Sequence, residues 1–167
     1  MLKYVWQFIL LCLLQVLIFN NLNLGGYVNP FPYIYLILML PISMGRIPVL
    51  LVGFFLGLTV DVFSNTGGMH AAATTLIAFY RPLYIKAQSP REGYELTAVP
   101  SIKQFGITWF IPYALLLVVM HHSVLFLLEA FRFSDFFHTF LKAVLSSGLT
   151  MVIIVFIEYM FVNERRR

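Results

Sequence analysis

Between Phe31 and Val60 the chain carries a single charged residue, Arg46. An apolar stretch that long has no soluble home in a chain of 167 residues, because too little polar surface remains to cover it. The whole chain is built the same way, with 60% hydrophobic and 11% charged residues, against about 25% charged in ordinary globular chains. Long apolar runs recur from end to end, so the class is a polytopic, all-α membrane protein.

The formal net charge of +4 has no nucleic-acid reading, since the 17 Phe and 9 Tyr lie inside apolar runs and form no basic, aromatic-studded face. Cys12 is the only cysteine, which excludes an internal disulfide and a Cys-based metal knuckle. Met1, Leu2 and Lys3 ahead of an apolar run imitate a secretory signal. The following "NNLNLGGYVNP" offers no small-x-small cleavage site, so the segment is expected to be retained as a first helix.

Six apolar segments can be drawn, at about 4–19, 33–44, 48–63, 69–84, 107–131 and 136–161. The expectation is one domain over 1–167, a six-helix transmembrane bundle. Segments two and three are each shorter than the roughly 20 residues of an ordinary spanning helix. Two short crossing helices, or one re-entrant hairpin with Arg46 near its tip, both fit. The crossing pair is preferred, because bilayer thinning and snorkelling accommodate short helices.

Charge sets the orientation. Lys3, Arg46, the group Arg81, Lys86, Arg91 and Lys103, and Arg165 to Arg167 fall on one side of a six-crossing arrangement. Only Arg132 and Lys142 fall opposite. That bias predicts cytoplasmic termini and a main cytoplasmic loop over about 85–105.

Polar residues inside the apolar runs are the functional candidates. Gly53, Gly57 and Asp61 are spaced by four, so they share one helix face. The glycines admit a close neighbouring backbone, and Asp61 falls at the outer end of that face. Packing and capping of nearby amides is one role for the acid; proton or ion coupling is the other. "SNTGG" predicts a tight turn, with Gly68, His70 and Ala71 opening the next helix. His70 lacks a spaced partner for a metal and suits interhelical hydrogen bonding. His121 and His122 project about 100° apart on a helix, which is not the i, i+4 grip of a zinc site. They stand as intramembrane polar contacts or a functional pair. Glu129, Arg132, Asp135, His138 and Lys142 gather at an outer turn, as a solvated ion-paired loop or a docking surface. Glu158 is expected to pair or to snorkel inward, and the terminal arginines to fix topology and touch anionic lipid.

No phosphate-binding loop, G-x-S-x-G or H-E-x-x-H motif is present. No catalytic, cofactor or metal residues are assigned, and an enzyme is the least supported class.

The stretch "GFFLGLTVDVFSNTGGMHAAATTLIAFYRP" resembles the rod shape-determining MreD family. The match is carried by Gly53-Phe54, Gly57-Leu58, Asp61 and Gly68-x-His70-Ala71. It covers about 30 residues, and "SNTG" departs from the family's commoner Pro-Leu-Gly ending. The resemblance implies a bacterial inner-membrane component of the elongation machinery. Such a protein binds the single-span MreC and works with MreB, RodA and a transpeptidase in lateral peptidoglycan synthesis. It implies no cofactor and no catalysis, and a fold similar to the substrate-binding subunits of energy-coupling-factor transporters. Two other classes remain open. One is a vitamin-type solute-binding subunit with an outer pocket of Asp61, His70, Asp135 and His138. The other is a proton-coupled antiporter resting on Asp61, His121 and His122.

Overall fold

A computed structural model describes residues 2–22, 28–130 and 136–163. Among them the chain is all-helical: α1 Leu2–Leu17, α2 Tyr35–Leu38, α3 Arg46–Ser64, α4 Met69–Ala87, α5 Ile102–Phe105, α6 Ile107–Ala130 and α7 Phe136–Asn163. Four segments are long and apolar enough to cross a membrane: Leu2–Asn21, Arg46–Ser64, Ile107–Ala130 and Phe137–Met160. Their outward faces stay apolar, as Trp6, Phe55, Val62, Leu116, Val152 and Phe156 illustrate. Such faces suit hydrocarbon. This is a helical membrane protein.

The helix expected over 33–44 does not form. A single 3₁₀ turn, Pro32–Ile34, leads into the four-residue α2. Proline explains the shortening. The residue before a proline is pushed out of the α region, and Phe31 before Pro32 sits at φ −123°, ψ 64°. Pro41 restricts Leu40 in the same way at the other end. Only about two turns fit between these brackets, so two short crossing helices are not what the chain builds.

The segment nevertheless runs through the middle of the bundle. Tyr33, Ile34, Ile37 and Leu38 have no exposed surface. Asn29 N–H donates to Ser146 Oγ at 2.9 Å and Phe31 N–H to Thr150 Oγ1 at 3.0 Å. Further on, Tyr35 Oη reaches Glu158 Oε1, about two turns beyond Thr150 on α7. Along α4 the contacts advance from His70 beside Tyr33 to Arg81 beside Leu40, a rise of about 16 Å for eleven helical residues. Residues 29–42 therefore run parallel to α4 and α7 as a partly extended strut. Irregular backbone at such depth is tolerable only when protein satisfies it, and four helices do so here. Gln15 Nε2 of α1 donates to Pro30 O, Tyr113 Oη of α6 to Leu38 O, and Arg81 Nη2 of α4 to Leu40 O.

The α3–α4 hairpin is the tightest part. A Cβ on Gly53 would lie 2.8 Å from Ala78 Cβ, and one on Gly57 would overlap Thr74 Oγ1 and sit 2.5 Å from His70 O. The glycine face is thus filled by α4 and leaves no room there for another chain. Between the helices, Asn65, Gly67 and Gly68 all take positive φ, and the Asn65 N–H closes α3 on Asp61 O.

Candidate functional site

Two polar layers interrupt the apolar interior, one near each end of the hairpin. At the Ser64 end, Asp61 is 4% exposed and works as a clasp. Its Oδ1 accepts from His70 N–H at 3.0 Å and Thr66 Oγ1 at 2.5 Å, and its Oδ2 from Ala71 N–H at 2.8 Å. The first amides of a helix lack intrahelical acceptors, and a carboxylate there also complements the helix dipole. The acid on α3 therefore finishes α4.

His70 hangs its ring inward from that clasped turn. Tyr33 Oη lies 2.9 Å from His70 Nδ1 and 2.8 Å from His121 Nε2, so one phenol bridges two histidines. Phe31 packs edge-on against His70, with ring centroids 5.0 Å apart. His122 turns the other way, as the 100° step requires. Its Nδ1 donates to Val118 O at 2.9 Å, so its Nε2 accepts from Thr150 Oγ1 at 3.1 Å. Thr150 in turn accepts the Phe31 amide. Both rings of the pair are fully buried, and both are spent on holding the strut.

The opposite layer is centred on Arg81, 1% exposed. The charge count groups it with the cations of one membrane side; the structure buries it in the last turns of α4. Its Nε donates to Tyr113 Oη at 3.0 Å and its Nη2 to Leu40 O. Glu158, 3% exposed, accepts from Tyr35 Oη at 2.6 Å and from Ile102 N–H at 2.8 Å. Among the described residues it pairs with no cation, and it is buried rather than snorkelling; it pins the start of α5 to α7. Its role was invisible in sequence because its donors lie 123 and 56 positions away.

A cavity of about 380 Å³ opens at the Ser64 end, walled in part by Val16, Asn20, Asn29, Phe31, Phe63 and His70. Asp61 and His138 are not among its walls, so the outer pocket expected from Asp61, His70, Asp135 and His138 is not assembled as drawn. His138 is exposed at the start of α7. Glu129 also lines the cavity and is held by Lys142 Nζ at 3.0 Å. Arg132, Asp135 and Arg165 to Arg167 lie outside the described residues. Among those described, no three His, Cys, Asp or Glu side chains are grouped to hold a metal. The layers are separated by apolar side chains including Leu36, Leu56, Ile77 and Leu117. The arrangement orients helices and donates or accepts hydrogen bonds.

No protein-family model, curated protein or solved structure matches this chain.

Proposed function

We propose that this protein is a noncatalytic scaffold of the MreD type in the bacterial inner membrane. It binds MreC and supports cell-shape control and lateral peptidoglycan synthesis beside MreB, RodA and the elongation transpeptidase. The strut is the second of six crossings, the termini are cytoplasmic, and the bundle is similar to energy-coupling-factor substrate-binding subunits. The observation that carries the reading is the fate of the motif residues. Gly53, Gly57, Asp61, Gly68, His70 and Ala71 all belong to one closed hairpin, and both carboxylate oxygens of Asp61 are engaged by α4 and its entry turn. A motif consumed by its own packing suits architecture better than chemistry.

Depletion in a rod-shaped host should give round cells, and the tagged protein should co-purify MreC from detergent extracts. Normal rods after depletion, with no MreC recovered, would overturn the proposal. Docking belongs on outward faces, since the glycine face is occupied; Gly57→Leu would report folding rather than binding.

One observation favours a second reading, a small-solute binding subunit of a transporter: the cavity beside His70. A specific nutrient requirement on depletion, with rod shape kept, would select it. The antiporter reading is weaker, because the apolar layer divides His121 from Glu158 and Arg81.

A further inference from the structure

We infer that the cavity at the Ser64 end binds a small uncharged solute whose carbonyl oxygen faces His70 and Ser64 and whose apolar face meets Phe31 and Phe63. This goes beyond the scaffold reading and deepens the second one, on which any link to transport rests.

The argument starts from a nitrogen without a partner. His121 Nδ1 is buried and accepts or donates no hydrogen bond. A buried N–H left unpaired costs more than an idle lone pair, so the proton of His121 belongs on Nε2, where Tyr33 Oη accepts it. Tyr33 has one hydroxyl proton, and it must then go to His70 Nδ1. That leaves His70 with its proton on Nε2. His70 is 4% exposed and lines the cavity, and its Nε2 has no partner among the described residues. The protein thus fixes a donor there through a relay that begins in the bundle centre.

The other wall groups narrow the chemistry. Ser64 Oγ accepts from Asn20 Nδ2 at 2.7 Å, which frees its own proton to donate. Asn20 Oδ1 is taken by Gln15, Asn21 Nδ2 by the Val16 and Leu17 carbonyls, and the Thr66 hydroxyl by Asp61. The His70 and Ser64 donors match the two lone pairs of a carbonyl oxygen, and the side-chain amide of Asn29, also on the cavity wall, can donate or accept beside them. Charge is disfavoured in both signs. The acid on the wall, Glu129, already carries Lys142 on both oxygens, each at 3.0 Å, so a cation finds no unpaired carboxylate and an anion meets a carboxylate. The volume is within the range of small-molecule sites.

Benzamide, benzoate and benzylamine share a ring and differ in charge, so they test the chemistry directly. Imidazole resonances of histidine-¹⁵N-labelled, full-length protein in micelles are followed during titration. The expected result is a saturable shift of the His70 Nε2–H signal by benzamide, with affinity in about the millimolar range. Benzoate and benzylamine should bind at least about tenfold more weakly. Val16→Phe fills the cavity from α1, outside the relay, and should abolish the shift while the His121 and His122 signals stay put. His70→Phe should weaken benzamide by about tenfold, measured by ligand-observed saturation transfer. No saturable response to benzamide, equal binding of the three probes, or an unchanged response in Val16→Phe each overturns the inference. Binding without uptake into vesicles would retain the site and remove the transporter reading; absence of binding together with MreC recovery would remove the inference and leave the scaffold reading standing.

Discussion

Replacing Asp61 with alanine removes one side chain and strands three donors, the His70 and Ala71 amides and the Thr66 hydroxyl. A hydrogen bond to a charged acceptor contributes about 1.5–3 kcal/mol in soluble proteins. Interhelical hydrogen bonds in bilayers average about 0.6 kcal/mol, because the unfolded chain also finds partners in the membrane. Thr66 is only half-buried and can turn its hydroxyl to water, whereas His70 and Ala71 are buried. Two stranded amides near the soluble value and a cheap third donor give a loss of about 2–5 kcal/mol. Asp61→Asn keeps one acceptor oxygen, points an NH₂ at a donor, and should lose roughly half as much. Reversible unfolding in mixed micelles, with increasing SDS mole fraction, measures both. A loss below about 1 kcal/mol for alanine would refute the clasp. So would an asparagine variant of full stability that no longer supports rod growth, because the charge would then be serving chemistry.

Three further outcomes are expected. Gly57→Ala should be severely destabilising and Gly53→Ala less so, while Gly148→Ala, which meets nothing within 4 Å, should be neutral or gain up to about 1 kcal/mol; the melting order of the three variants checks this. Arg81→Lys should cost about 1–3 kcal/mol in the same unfolding assay, because an ammonium cannot span Tyr113 Oη and Leu40 O as the guanidinium fork does. Leu96→Cys and Glu129→Cys should label with an impermeant maleimide from opposite sides of the membrane, and the buried native Cys12 should give little background; labelling from one side would refute the crossing scheme.

The parts legible in sequence were those governed by local composition. Apolar run length identified the four long spans, and the i, i+4 spacing of Gly53, Gly57 and Asp61 placed them on one face of α3. The turn at 65–68 was legible from its glycines. The strut was not. Apolar content measures preference for lipid, while Pro30, Pro32 and Pro41 limit helix length. The buried role of Arg81 was not legible, because an arginine three residues before the expected helix end at 84 looks like a flank; its acceptors, Leu40 O and Tyr113 Oη, are backbone and phenol atoms with no sequence signature. The separate duties of His121 and His122 followed in outline from their angular step, but their partners, Tyr33 and Thr150, are 88 and 28 residues away.

The strut also has a consequence for synthesis. Residues 29–42 leave the ribosome early, yet the groups that satisfy their backbone come from Arg81, Tyr113, Ser146 and Thr150. Until the last of these is inserted, the segment has unsatisfied amides and carbonyls and no stable place in hydrocarbon. Its settling is therefore a late event in biogenesis, and a chain truncated before α7 would present residues 29–42 to quality-control proteases while its other helices sit normally in the bilayer. The second segment to be made is among the last to be folded.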